Sequence, residues 1–151
     1  MAEEYLLGQD VLLYKYNTTD TEWEPVACAT SNTFGGTMNF LESITKCDEA
    51  TRRAPTSKNY TATVDLIVPT ATSRMTGKVY DNTLQDEFDN MSKSWYAFMS
   101  SEPTGEKTIE KYFEAYVESI DYTAEREGNV EASVSFAIDG DAVNVDPFIT
   151  T

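Results

Sequence analysis

Apolar and polar side chains alternate along much of this chain. At Val130, Ala132, Val134, Phe136 and Ile138 an apolar group takes every second position, with Glu131, Ser133, Ser135 and Ala137 between them. A period of two places one set on a buried face of a strand and the other on the opposite face. The same pattern runs through Tyr60, Ala62, Val64, Leu66 and Val68, opposed by Thr61, Thr63 and Asp65. A third strand is entered at Ile109 and carries Phe113, Ala115 and Val117, while its other face holds Glu110, Tyr112, Glu114, Tyr116, Glu118 and Ile120. Neither face of that strand is simply polar. Its aromatic and acidic side points to contact with something other than bulk water. Further strands are predicted over residues 11–16, 24–31, 33–44 and 95–99. Residues 122–128 lead into Gly128 and Asn129, a turn pair that predicts a hairpin.

One segment has helical spacing instead. Tyr80, Leu84, Phe88 and Met91 recur at intervals of four and three, with Asp81, Asn82, Gln85, Asp86, Asp89 and Asn90 between them. Asn82 with Gln85 three residues later reads as an N-cap and its reciprocal partner. The pattern as a whole is mainly β with one flanking α-helix, a sandwich or barrel. Residues 47–59 show no periodicity, contain Pro55, and predict a long loop of the kind that is functional or mobile. Residues 140–151 read as a polar C-terminal tail.

Composition narrows the chemistry. The 151 residues suit a single domain spanning the whole chain, with a real core. Twenty-six acidic against 11 basic residues give a formal charge of −15, the opposite of the basic footprint that gripping nucleic acid requires. There is no histidine, so Ser-His and Cys-His nucleophilic mechanisms are excluded, as are zinc sites that need imidazole. A carboxylate-pair hydrolase is the remaining enzymatic route, and with so many acids some pair always looks suitable. Asp139-Gly140-Asp141 lacks the later ligands of a calcium loop and reads as a turn. No catalytic residue, metal site or cofactor is therefore expected. Cys28 and Cys47 read as free, partly buried thiols. Trp23, Trp95 and the nine tyrosines read as core or subunit interface. The N-terminus lacks the features of a secretory signal, and no apolar run is long enough for a membrane span.

The 47–59 stretch holds Arg52, Arg53 and Lys58, three of the 11 basic residues. In so acidic a protein, a local cationic segment has a ready partner in another copy of the same chain.

The order of these elements resembles the major tail tube proteins of long-tailed bacteriophages. The matching stretch, about residues 8–140, begins at Val26-Ala27-Cys28-Ala29-Thr30-Ser31. It continues through Phe34 to Phe40 and the corner Ile44-Thr45-Lys46-Cys47-Asp48, then Tyr60-Thr61-Ala62-Thr63-Val64-Asp65-Leu66. The helix, the Trp95 strand and the closing pair of strands, 112–122 and 128–138, follow in the same order. An aromatic-Gly-Pro corner usual in that family is replaced by residues 50–55. The resemblance implies a β-sandwich or barrel-like tail-tube fold with one flanking helix and a long inter-ring loop. It implies homohexameric rings stacked into a tube in the virion tail, made in the host bacterial cytoplasm. Tape-measure, tail-tip and tail-terminator proteins are the implied partners, and DNA passes through without tight binding. On that footing Arg52, Arg53 and Lys58 are expected to make the stacking contacts. Asp65, Glu114, Glu118 and Glu131, from the alternating strands, are the expected acidic lining of the lumen. Two other readings accompany it: the inner tube of a contractile injection or type VI secretion device, and a carbohydrate-binding β-sandwich.

Overall fold

The structure, a computed structural model, describes residues 5–43, 52–100 and 107–148. Seven strands and one helix follow one another as β1 (Val11–Asn17), β2 (Glu22–Pro25), β3 (Ala29–Ser43), β4 (Arg52–Ile67), α1 (Asp81–Asp89), β5 (Lys93–Ser100), β6 (Glu110–Thr123) and β7 (Glu131–Val143). All strands belong to one antiparallel sheet in the order β2-β1-β5-β6-β7-β4-β3.

That order forces the sheet to roll. β2 and β3 are its two ends, yet only residues 26–28 connect them. In a flat sheet the end strands would stand about 29 Å apart. The link spans at most about 14 Å. The chain crosses the mouth of the roll at this point. Val26 N donates to Leu13 O at 2.9 Å, Ala27 N to Val79 O at 2.8 Å, and Ile67 N to Cys28 O at 3.0 Å. Cys28 takes φ 61° to make the corner and is an exposed free thiol rather than a partly buried one. The predicted 24–31 strand is thus two strands broken by this crossing.

The alternating residues fill the inside of the roll. Ala62, Val64 and Leu66 of β4, Phe113, Ala115 and Val117 of β6, and Ala132, Val134 and Phe136 of β7 form one core with Leu13, Tyr96 and Leu84. Phe34 of β3 reaches across to Phe113 and Phe98, with centroids at 5.2 and 5.9 Å. In β6 the alternation slips. Val117 and Ser119 face consecutive β7 residues, Phe136 and Ser135, which makes Glu118 the extra residue of a bulge. The slip turns Ile120 inward against the core, where strict alternation had put it on the outer face.

The helix begins one residue before the predicted cap. Asp81 is its first residue, Tyr80 precedes it without a side-chain cap, and Gln85 donates to Asp89 instead of reaching back. Asp81 takes the start because Arg74 and Tyr122 hold its carboxylate, which also suits the positive end of the helix dipole. Of the predicted apolar face, Tyr80 and Leu84 are buried, whereas Phe88 and Met91 are exposed.

Two predicted loops are ordered strand or packed chain. Residues 52–59 are not a loop but the first half of β4, paired with β3 from Met38↔Lys58 to Ser43↔Arg52. Residues 44–51, including Cys47 and the start of the predicted loop, lie outside the described residues. Residues 140–143 complete β7, and the exposed stretch 144–148 is tied to the first hairpin through Asp146 and Phe148. Phe148 stacks on Tyr16 at 3.7 Å, and Trp23 Nε1 donates to Asp146 Oδ2 at 2.9 Å. Residues 149–151 lie outside the described residues.

Candidate functional site: an acidic sheet face and a projecting arm

The outer face of the roll divides into two surfaces. Over β1, β5 and β6 it is apolar. Ala97, Met99 and Tyr112 are buried there with Tyr14, Trp23 and Trp95 against them, and Phe148 lies across Tyr16, Trp23 and Trp95. Burial and the bond to the Glu110 carboxylate push the Tyr112 hydroxyl above its ordinary range. The two tryptophans are therefore held in packing by the chain's own C-terminal residues. Of the aromatics on the unusual β6 face, Tyr112 has its partner within the subunit, whereas Tyr116 is exposed.

Over the rest of β6, β7, β4 and β3 the outer face is polar and small. One cross-strand row reads Glu114↔Asp139, the next Tyr116↔Ala137↔Thr61↔Gly35, then Ser135↔Thr63↔Thr33 and Ser133↔Asp65↔Ser31. These residues point away from the core because their sequence neighbours Ala62, Val64, Ala132, Val134 and Phe136 point into it. Asp65, Glu114, Glu118 and Glu131 all lie on this surface. Asp65 and Glu131 are diagonal neighbours on adjacent strands, Glu118 is exposed at the bulge, and Glu114 stands at the other end of the face. They share a face without forming one cluster. Among the described residues no group of three or more acidic or cysteine side chains is placed to hold a metal ion.

One cation tempers this face. Lys93 Nζ lies 3.2 Å from Asp139 Oδ2 and 3.5 Å from Glu114 Oε2. The hydrogen bond with Asp139, and then the charges of Glu114 and Asp139, hold this lysine above its ordinary pKa. Asp139 directly opposite Glu114 would be a like-charge clash without Lys93. Residue patterning alone did not find this pair, because the partners are 46 residues apart.

The second feature is an arm. β4 pairs with β7 only from Thr61 to Ile67, but with β3 along almost its whole length. β7 turns away at Gly140, which takes φ 87°. It places residues 140–142 opposite the single residue Phe113 of β6. Beyond this fork, residues 37–43 and 52–59 form a two-stranded ribbon with no third strand among the described residues. Lys58 ties the fork to Asp141 at 3.6 Å, a carboxylate that raises the lysine pKa. A bulge at Thr56 sets the far register, where Arg53 Nε donates to Glu42 Oε1 at 3.0 Å. Arg52, Arg53 and Lys58 thus all lie on the arm, but on strand rather than loop. Arg53 and Lys58 project from the side continuous with the core face, with Met38 and Phe40, and Arg52 from the reverse side with Leu41. Phe40 is 50% and Leu41 65% exposed.

A buried clasp secures the connection to the helix. Asp81, 5% exposed, accepts from Tyr122 Oη at 3.0 Å and pairs with Arg74 at 3.1 Å. The Arg74 contact is an ion pair without hydrogen-bond alignment, so Asp81 Oδ1 has no hydrogen bond. Burial, and then the bond to Asp81, push Tyr122 up to about 12.

No protein-family model and no curated protein matches the sequence. Solved structures do. The tail of an empty gene transfer agent particle, refined with C6 symmetry, superposes with a TM-score of 0.74 at 12% identity, over 94% of this chain and all of that one. The SPP1 tail tube gives 0.67 at 19% identity, over 90% of this chain and 77% of that one. The baseplate of the anti-feeding prophage gives 0.67 at 10%, over 95% and 96%. At such identities the likeness carries the fold: the rolled sheet with its single helix is the fold of phage and gene-transfer-agent tail tubes.

Proposed function

We propose that this chain is the repeating subunit of a virion tail tube, a structural protein with no catalytic role. Copies form six-membered rings, the rings stack, and the Asp65–Glu131 face lines the lumen through which DNA leaves. The observation that carries the reading is the polar outer face of β3, β4, β7 and β6, built from small Ser, Thr, Ala and Gly residues with carboxylates among them. Such a wall is smooth, and it repels a phosphate backbone, so DNA would slide without being retained. Superposition with tail-tube subunits over nearly the whole chain supports the same reading.

The sheet edges argue in the same direction. β2 and β3 end the sheet, and exposed edges of this kind invite pairing with another chain. Closing several copies into a ring covers them. A six-membered ring would carry a formal charge of about −90, which keeps free rings apart until a nucleating surface is offered. Tape-measure, tail-tip and tail-terminator proteins are the partners of such a tube.

The likeness to the anti-feeding prophage baseplate supports a second reading, the inner tube of a contractile injection device. Both are conduits of stacked rings. A gene for a sheath protein beside this one would favour the second.

Negative-stain microscopy of the purified chain over a concentration series tests the reading. Hollow rings or tubes of uniform diameter are expected. Arg52→Glu with Arg53→Glu should slow tube growth at least tenfold, since reversing two cations that face carboxylates of the next copy turns an attractive contact into a repulsive one. Unchanged growth removes the stacking role from this pair.

A further inference from the structure

The buried stripe of α1 has a carboxylate at each end. Asp81, Leu84 and Glu87 recur at intervals of three and so lie on one side of the helix. Asp81 is held by Arg74 and Tyr122, and Leu84 enters the core. Glu87, in the last turn, turns its side chain toward the sheet and leaves it only 15% exposed.

Three residues of the inner sheet face meet Glu87. Its Oε1 lies 3.2 Å from Lys15 Nζ of β1 and accepts from Ser94 Oγ of β5 at 3.0 Å. Lys15 stands directly opposite Tyr96 in the β1–β5 ladder, and Tyr96 is two positions on from Ser94. Strand parity therefore puts all three on one face, the face that carries Leu13 and Tyr96 into the core.

Glu87 thus uses one oxygen for both of these contacts. The other, Oε2, is buried and has no hydrogen-bond partner among the described residues. Tyr96 Oη is in the same position. Its ring is fully buried against Phe113 and Phe136, with centroids at 6.2 and 4.8 Å. Burial, and then the Glu87 charge, push this hydroxyl above its ordinary pKa, so the carboxylate and the hydroxyl sense each other. One is an acceptor and the other a donor, yet they do not bond directly. Protein interiors ordinarily meet such a pair with an ordered water, which makes about three hydrogen bonds. Ser94 Oγ, whose proton goes to Glu87 Oε1, can accept the third.

We propose that one internal water bridges Tyr96 Oη and Glu87 Oε2, accepting from the tyrosine and donating to the carboxylate. The water completes a polar clasp that joins the last turn of α1 to β1 and β5. Lys15 supplies the countercharge that keeps the carboxylate ionised within it. The clasp lies inside one subunit and does not depend on the tube reading.

Tyr96→Phe tests the bridge, because it removes the hydroxyl and keeps the ring. The full chain is held as free subunits. A bridged hydroxyl makes the variant less stable, with an unfolding constant raised about fivefold in a denaturant titration. A hydroxyl without a partner gives the opposite sign, a Phe variant as stable as wild type or more so, and that result overturns the proposal. Oxygen-17 relaxation dispersion of the solvent then counts the long-lived waters. The variant should hold one fewer than the wild type. Lower stability with an unchanged count means that Tyr96 and Glu87 bond directly, which also overturns the bridge. If the chain assembles at the concentration this requires, density maps of wild-type and Tyr96→Phe tubes, at a resolution that shows waters, give the same comparison. A water between Tyr96 and Glu87 in the wild-type map alone is expected, and a wild-type map without one contradicts the proposal.

Discussion

β3 and β4 each live in two environments. Their inner halves, residues 29–36 and 60–67, pair inside the roll, with Ala62, Val64 and Leu66 buried against β6 and β7. Their outer halves, residues 37–43 and 52–59, pair in the same ladder, but the described side chains there are exposed on both sides. Backbone hydrogen bonding continues unbroken apart from the bulges, so the difference lies in burial alone. An isolated two-stranded ribbon is marginal in water. The body is therefore held by its own core, whereas the arm has the form of a strand pair waiting for a surface. Tube assembly would supply that surface.

Substitutions can break or sharpen this contrast. Phe113→Ala in the body should destabilise the subunit by about 3–5 kcal/mol, the cost of emptying a fully buried aromatic site, read as a lower denaturant midpoint. Tyr122→Phe should cost about 1 kcal/mol at neutral pH, because a half-exposed hydroxyl gives up a hydrogen bond to the buried Asp81 carboxylate. This substitution also carries a pH signature. Folding raises the tyrosine from about 10 to about 12, so its contribution is complete below pH 10 and is lost as pH climbs through 12. The wild-type chain should lose stability over that window, and the Phe variant should lose less. Phe40→Ser on the arm should change subunit stability by no more than about 0.5 kcal/mol, as an exposed site does. The same change should abolish tube formation in the electron microscope.

The contrast also explains what could be read from the residues alone. Alternation exists where a strand has an inside and an outside, so the segments around Val64, Phe113 and Val134 were legible. Residues 52–59 have no inside in the single subunit. Their polar, Pro55-containing composition consequently read as a loop, although Arg52, Arg53 and Lys58 were already singled out as contact residues. The outer-face carboxylates Asp65, Glu114, Glu118 and Glu131 followed from strand parity and share the surface that parity implied. Lys93 with Asp139, and Arg74 with Asp81 and Tyr122, were not legible, since strand pairing and the roll bring them together across long stretches of chain. The inward turn of Ile120 was hidden for a related reason: a one-residue bulge leaves no mark in composition. Phe148 read as tail because its partners, Tyr16 and Trp23, belong to the first hairpin.

Hydrogen exchange compared between free subunit and assembled tube tests the central claim most directly. In the free subunit the amides of residues 37–43 and 52–59 should exchange fast, while those of 62–66, 113–117 and 132–136 exchange only with global unfolding. In the tube the arm should become protected by a factor of at least 100, with little change in the body. Equal protection of arm and body in the free subunit, or an arm that still exchanges fast in the tube, would contradict the account.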